Sequence, residues 1–244
     1  MLTLTGSEAH HALHVLRIRK GERLVALDGA GSEILCEVHD CTRDSFTLTV
    51  MSRNRVPPLP YRITLLQAIP KGKTFETIIQ KATELGVGRI VPLLSERTAI
   101  QAGDRSAPAR TEKWRRVAME AIKQCGNPWL PEIEKPVALK EFLSRHEKFE
   151  LPLIASLQPD RRHPREYFGT FLREHGRLPQ SVCVWIGPEG DFTPAELGDI
   201  ETSGAFPISL GRLTLRSDTA AICCLAILNH ELGPDCGSAG TRWQ

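Results

Sequence analysis

The stretch Ser181–Phe192, SVCVWIGPEGDF, constrains the fold more than any other part of the chain. A largely apolar run suited to a buried strand enters Gly187, Pro188 and Gly190, and Thr193-Pro194 then signals a helix start. Glycines let main chain approach a ligand without a side-chain clash, and a helix N-terminus offers N–H groups that have no partner of their own. Leu210–Ala220, LGRLTLRSDTA, repeats the arrangement: a strand end, a Gly, a charged pair and a helix. Two such loops close together in sequence imply one shared pocket. Neither carries Lys-Ser or Lys-Thr after its glycines, which disfavours a P-loop NTPase.

Around these loops short apolar runs alternate with amphipathic helices. YRITLLQAI, GRIVPLL, ELPLIASL, SVCVWI and FPISL read as strands, and TFETIIQKATELG as a helix closed by Gly86. Arg110–Cys125, Pro164–His175 and Pro194–Ser203 supply further helices. Ser217–Leu232 is apolar nearly all round and is expected to be buried, Cys223 and Cys224 included. This is an α/β pattern with a mostly parallel sheet. Ahead of it, RLVALD, EILCEV and SFTLTV read as strands of a small β-rich domain, with a short helix over Ser7–Arg19. In Asn54–Pro60, NRVPPLP, three prolines lack the N–H a ladder needs, so a domain boundary belongs there. The expected division is 1–56, 57–232 and a disordered tail, 233–244, with little to bury.

With 41% hydrophobic residues in 244, the chain can bury a sizeable core. No run approaches the roughly 20 apolar residues of a membrane span and no leader is evident, so a cytoplasmic protein is expected. Seven scattered cysteines without a C-x-x-C pair favour reduced thiols over a zinc knuckle or a disulfide framework. His10 and His14 stand four apart with His11 beside them, but no Cys or carboxylate set completes a site, and no metal is expected. A formal charge of +2 does not announce a nucleic-acid binder, so local clusters must supply any RNA affinity. The candidates are Arg105, Arg110, Lys113, Arg115, Arg116 and Lys123 around one helix, and Arg161, Arg162 and Arg165 after a strand. A solvated face is an equal alternative for each.

In combination with TGSEAHHALHVLRIRKGERLVALDGAG near the start, these loops make the chain resemble the RsmE family of bacterial SPOUT-class RNA methyltransferases. Lys71-Gly72-Lys73, Lys81–Val87 (KATELGV), Ser95-Glu96-Arg97-Thr98 and Glu120-Ala121 with Gln124 are similar to family residues in the same order. The resemblance implies a PUA-like RNA-binding β-barrel followed by a trefoil-knotted SPOUT domain that pairs as a homodimer. It also implies S-adenosylmethionine as cofactor and methylation of uracil N3 in 16S rRNA of the small ribosomal subunit. Three departures stand out. The first strand that members often carry before the Thr-Gly-Ser-Glu segment is not expected here, Leu213 stands where an Arg is frequent, with Arg212 beside it, and Asn127 replaces another Arg.

By resemblance, Ala155, Ser156, Leu157, Ile186, Gly187, Pro188, Glu189, Gly190, Leu210, Gly211, Leu215 and Ser217 form the cofactor pocket, largely through backbone. Core packing is the alternative for each Leu. Uracil N3 becomes nucleophilic as its proton leaves, which needs a base or a cation that stabilises the resulting anion. Arg216 is the leading catalytic residue, because a guanidinium stays charged and presents paired donors. Asp218 and Glu189 could accept a proton, although helix dipoles keep both ionised and weak as bases. Capping the last helix is the simpler role for Ser217 or Asp218. Arg17, Arg19, Lys71, Lys73 and Arg97, with Gln124, are the RNA-contact candidates; charge facing solvent explains Arg19 and Lys73 equally well. A SPOUT enzyme acting on ribose 2′-hydroxyls and a non-catalytic assembly factor are the rival functions.

Overall fold

The computed structural model describes residues 1–6, 9, 18–42, 45–98 and 107–233. Most of the helix expected over Ser7–Arg19, with His10, His11, His14 and Arg17, lies outside the described residues, as do Arg105 and the tail from residue 234. Two compact units form: Met1–Pro58 with Gly126–Leu130, and Leu59–Cys125 with the chain from Pro131 on.

The first unit is a four-stranded antiparallel sheet of β1 (Leu2–Thr5), β2 (Arg23–Leu27), β3 (Ser32–Cys41) and β4 (Ser45–Arg55), in the order β1-β4-β3-β2. Alternation along β3 buries Ser32, Ile34, Cys36 and Val38, and the last three pack with Phe46, Leu48 and Ala9. One expectation is corrected here: a strand does precede the Thr-Gly-Ser-Glu segment. Leu2 and Leu4 of β1 turn their apolar side toward the core while Leu2 through Thr5 pair with Leu48 through Ser45. β4 also outruns its apolar residues to Arg55, held by backbone pairing with β3 as far as Ser32, across a register shift at Leu35/Cys36.

Residues 126–130, which sequence pattern alone groups with the second domain, pack into the first unit. Gly31 N–H donates to Pro128 O and Leu130 N–H to Gly29 O, both at 2.9 Å, while the Trp129 indole N–H reaches Val56 O. The Arg55 guanidinium lies over the indole, 5.1 Å from its centre.

In the second unit β5 (Arg62–Ala68), β6 (Arg89–Leu94), β7 (Glu132–Ile133), β8 (Val137–Ala138), β9 (Leu151–Ala155), β10 (Ser181–Ile186) and β11 (Phe206–Ile208) form a seven-stranded parallel sheet. Its order is β11-β9-β10-β5-β6-β7, with β8 also on β6. Six helices accompany them among the described residues: α1 (Thr74–Glu84), α2 (Ala107–Cys125), α3 (Leu139–Ser144), α4 (Pro164–His175), α5 (Pro194–Thr202) and α6 (Ser217–Leu232). None is long and apolar enough to cross a membrane. Phe75, Ile78, Ile79 and Ala82 give α1 its buried stripe, Gly86 in the left-handed region (φ 74°) ends it, and Phe75 meets Trp114 of α2 edge to face.

The expectation for α6 needs correction. Ala221, Cys224, Leu225, Leu228 and Leu232 are buried, but Thr219, Ile222, Cys223, Ala226, Ile227 and His230 form a stripe at helical spacing that this chain leaves half-covered or exposed. Apolar residues all round the helix therefore reflect two faces, of which one meets the sheet.

Gly31 combines φ of 97° with close packing: a methyl there would fall 2.3 Å from Trp129 Cζ2. Gly21 has φ of 86° and open space around it. Left-handed backbone costs a non-glycine about 1–2 kcal/mol and overpacking about 1–3 more. Gly31→Ala should therefore lose about 2–5 kcal/mol in urea unfolding and Gly21→Ala only about 1–2.

Candidate active site

At the carboxyl ends of β9, β10 and β11 a cavity of about 440 Å³ opens. The strand order explains its place. From β5 the chain moves to β6 on one side, whereas β9, β10 and β11 lie on the other, and crevices form where successive connections diverge. Three chain segments line it: Ala155–Leu157 with Arg161, Ile186–Glu189 with Asp191, and Leu210–Ser217 with Ala220.

The first loop is fixed by its own turn and by both neighbouring loops. Asp191 N–H donates to Pro188 O at 2.9 Å, Asp191 sits at φ of 59°, and Phe192 plugs the core. Asp tolerates the left-handed region better than most residues, because its short polar side chain bonds locally; here Oδ1 accepts the Phe192 N–H at 2.8 Å. Gly187 is the glycine this turn requires. A methyl there would lie 2.6 Å from Asp191 Oδ1 and 3.2 Å from its Cα. Thr193 and Glu196 form a reciprocal capping box at the start of α5, and the buried Glu196 also accepts the Glu96 N–H at 2.8 Å. The Lys71 N–H donates to Glu189 Oε1 at 3.0 Å, and the Arg97 guanidinium donates to Gly190 O.

The other walls are tied in the same way. Ser156 N–H donates to Ile208 O at 3.1 Å, and the Ser156 hydroxyl accepts the Gln158 N–H. Arg161 folds back onto the carbonyls of Leu157 and Gln158, pinning that turn beside the cavity. Ser217 Oγ donates to Gly187 O at 2.7 Å and so joins the two glycine loops directly.

Eleven of the twelve residues expected at a cofactor pocket line this cavity; Gly190 does not. The space a side chain would take at 190 is filled by Arg97 Cδ at 3.3 Å, so the loop turns its back there. Asp191, which the sequence reading passed over, takes the place on the wall. Arg216 lines the cavity with its side chain 80% exposed, and Asp218 lies 3.7 Å from its guanidinium. Asp218 stands off the wall and accepts the Thr219 N–H at 2.9 Å. Neither Ser217 nor Asp218 caps α6: residue 216 holds the N-cap position, and no side chain caps it. Lys71 and Arg97 flank the first loop through the bonds above and are exposed, as is Lys73 at the N-cap position of α1. Gln124 is exposed near the end of α2, and Arg19 is exposed in the first unit, its N–H on Glu22. On α2 the basic run is partly neutralised in place, with Lys113 on Glu76, Arg116 on Glu112 and Lys123 on Glu120. Among the described residues no His, Cys, Asp and Glu cluster has the makings of a metal site.

Residues 57–229 match the RNA methyltransferase domain family, and residues 4–51 match the RNA methyltransferase PUA domain. The chain belongs to the RNA methyltransferase family. This RNA methyltransferase is 34% identical over 233 residues to ribosomal RNA small subunit methyltransferase E of Synechocystis sp., covering 95% of the chain and 73% of that relative. It is 30% identical to the enzyme of the same name from Aquifex aeolicus, covering 93% of each. Among solved structures, a methyltransferase from Legionella pneumophila in complex with the bound cofactor SAM superposes with a TM-score of 0.84 at 32% identity, over 94% of this chain and 91% of that one. The loops built above thus fall on an α/β, SPOUT-type methyltransferase fold.

The Asp191 carboxyl is pushed above the usual range by burial, which outweighs its bond to the Phe192 N–H and the nearby Arg97 charge. A carboxyl raised on folding adds stability at pH below its unfolded value, and that contribution is lost as pH rises through the folded value. Asp191→Asn keeps the Oδ1 acceptor and tolerates positive φ. It should melt above the parent protein at pH 7, with the gap closing as pH falls below about 4, where the parent's carboxyl is protonated in both states. A gap independent of pH in thermal unfolding from pH 3 to 7 would remove the electrostatic explanation.

Proposed function

We propose that this protein transfers a methyl group from S-adenosylmethionine to N3 of a uracil in 16S rRNA of the small ribosomal subunit, acting as a cytoplasmic homodimer. The observation that carries this reading is the convergence of two glycine-bearing strand-to-helix loops on one cavity in a chain of the RNA methyltransferase family. The names of the Synechocystis and Aquifex relatives and the SAM held by the Legionella protein support it.

The cavity suits that cofactor. Its volume falls within the roughly 300–1,000 Å³ of small-molecule sites. Leu157, Ile186, Leu210 and Leu215 offer apolar surface for a flat ring. Glu189 and Asp191 bring negative charge to the wall, as a sulfonium requires. Backbone at Gly187, Pro188, Leu210 and Gly211, with Ala155 and Ser156 opposite, would hold it. When bound, S-adenosylmethionine supplies the methyl electrophile itself.

Arg216 is assigned to the nucleotide. Uracil N3 carries a proton, and as it leaves, negative charge spreads over the flanking carbonyl oxygens. A guanidinium beside a sulfonium would oppose binding, whereas its planar paired donors match a carbonyl oxygen or phosphate that becomes more negative. Asp218, at 3.7 Å, orients Arg216, and Glu189 anchors the first loop to Lys71. Lys71, Lys73 and Arg97, with Gln124 and with Arg17 and Arg19 of the first domain, are assigned to RNA; the PUA match over residues 4–51 supports an RNA platform there. The half-covered stripe of α6, running from Thr219 to His230, supports pairing of two subunits. We place the domain boundary at 56/57, and the trefoil knot goes with the SPOUT assignment.

Mapping of methyl groups tests the function. Small-subunit particles from a strain lacking this gene, treated with the protein and S-adenosylmethionine, should gain methyl on a uracil base. Methyl on a ribose oxygen would make it a 2′-O enzyme, and tight binding without transfer an assembly factor. In that assay Arg216→Ala should lower transfer by about 10²–10³ while cofactor affinity stays within about threefold, and Arg216→Lys should restore only part. Affinity lost in step with activity would make Arg216 part of the pocket wall.

The two glycines of the first loop should differ. Gly187→Ala displaces the Asp191 turn and should weaken S-adenosylmethionine binding, measured by calorimetry, about tenfold or more, equivalent to about 1.4 kcal/mol. Gly190→Ala meets only the Arg97 side chain, which can move, and should change affinity by less than about threefold.

A further inference from the structure

Gln67 is the next-to-last residue of β5, opposite Ile186 of β10 on one side and Pro92 of β6 on the other, and its side chain is wholly buried. It does not line the cavity. Its Nε2 donates to Ala68 O at 2.9 Å and to Ser217 Oγ at 3.0 Å. Ser217 Oγ in turn donates to Gly187 O at 2.7 Å.

The direction of this chain of bonds has one solution. Ala68 O only accepts, so the nitrogen end of the amide must face it. Gly187 O also only accepts, so the Ser217 hydrogen is committed there and Oγ must accept from Gln67. Both amide hydrogens are then used. The price falls on Gln67 Oε1, which is buried with no hydrogen-bond partner among the described residues. A buried acceptor left unpaired destabilises a fold, and an apolar side chain of similar length would fill the volume without that cost but would take away the donor that Nε2 gives Ala68 O and Ser217 Oγ. An amide at this position is therefore not explained by packing. Its nitrogen end accounts for it, because that end fixes the hydroxyl through which the two glycine loops are joined.

We propose that Gln67 is a positioning residue of the methyl-transfer site: by orienting Ser217, it sets the first loop at Gly187 against the second loop at the start of α6. The inference rests on the functional reading above. Arg216 immediately precedes Ser217, so the same bond holds the backbone from which its guanidinium reaches the cavity mouth. Gln67 touches neither cofactor nor nucleotide. Its effect passes through Ser217.

The test compares Gln67→Leu, Gln67→Met, Ser217→Ala and the double variant Gln67→Leu/Ser217→Ala in the full chain. Gln67→Leu removes the unpaired oxygen but also the donor to Ala68 O and Ser217 Oγ, so it should melt close to the temperature of the parent, yet bind S-adenosylmethionine about tenfold more weakly by calorimetry. In the ligand-free protein, amide hydrogen exchange should speed up together in residues 187–193 and 211–217. The double variant should bind no more weakly than Ser217→Ala alone, because two links of one relay are not additive. Additive losses, unchanged affinity in a folded Gln67→Leu, or failure of both Gln67→Leu and Gln67→Met to fold would overturn the proposal. If the parent protein itself binds no S-adenosylmethionine, the functional reading fails, while coupled exchange of the two loops would still uphold the role of Gln67 in placing them.

Discussion

β5 and β10 lie side by side in the middle of the seven-stranded sheet, in register from Arg62 against Ser181 to Gln67 against Ile186, and the site inherits its geometry from that pairing. Parallel strands deliver their carboxyl ends to the same edge. There the last residues of β5 place a buried amide, and the first residue after β10 places a glycine carbonyl, within reach of one hydroxyl at the start of α6. A slip of one residue would turn Gln67 to the opposite face of the sheet and dissolve the arrangement. Continuous burial of Ile63 through Ala68 and Val182 through Ile186 guards against such a slip, since helices or loops cover both faces.

The two edges of the sheet use charge differently. At the starts of strands, arginines and glutamates pair with one another: Arg62 with Glu132, Arg89 with Glu134 and Glu147, and Arg177 with Glu150. The Arg177 guanidinium and the Gln180 N–H hold the Glu150 carboxyl down at about 2. At the carboxyl edge, carboxylates instead accept backbone N–H groups: Glu189 from Lys71, Glu196 from Glu96 and Thr193, and Asp218 from Thr219. Arg97 there donates to Gly190 O, and Arg216 meets Asp218 at 3.7 Å. Short arginine–glutamate pairs thus gather at the starts of the strands, while the carboxyl edge carries loop-bound carboxylates beside exposed cationic groups.

Much of this was legible in the sequence because it is local. Apolar runs with punctuating glycines and prolines mark β5, β6, β9, β10 and β11, and α4 and α6 begin and end where the pattern says. The strand-to-helix loops could be found because Gly and Pro at such spacing have few other uses. What escaped depends on partners far apart in sequence. Gln67 looks like a polar blemish in an apolar strand until Ser217, 150 residues on, is placed beside it. Asp191 and Gly190 cannot be told apart as wall residues until the turn at Pro188 sets which of them faces inward. β1 was missed because four alternating residues carry too weak a signal without the long β4 to pair with. The apolar circumference of α6 shows how much could be buried, not that one stripe stays half-covered within a single chain.

The return of residues 126–130 to the first unit bears on how the protein is made. That unit contains Met1–Pro58, yet Trp129 packs on Gly31 and the indole N–H meets Val56 O. As the chain emerges from the ribosome, the β-sheet near the N-terminus can assemble early, but its closing piece arrives only after α1, β6 and α2 have been synthesised. For that interval Gly31 and Val56 lack the partners that Pro128 and Trp129 supply. Two domains read in order along the sequence are thereby finished out of order.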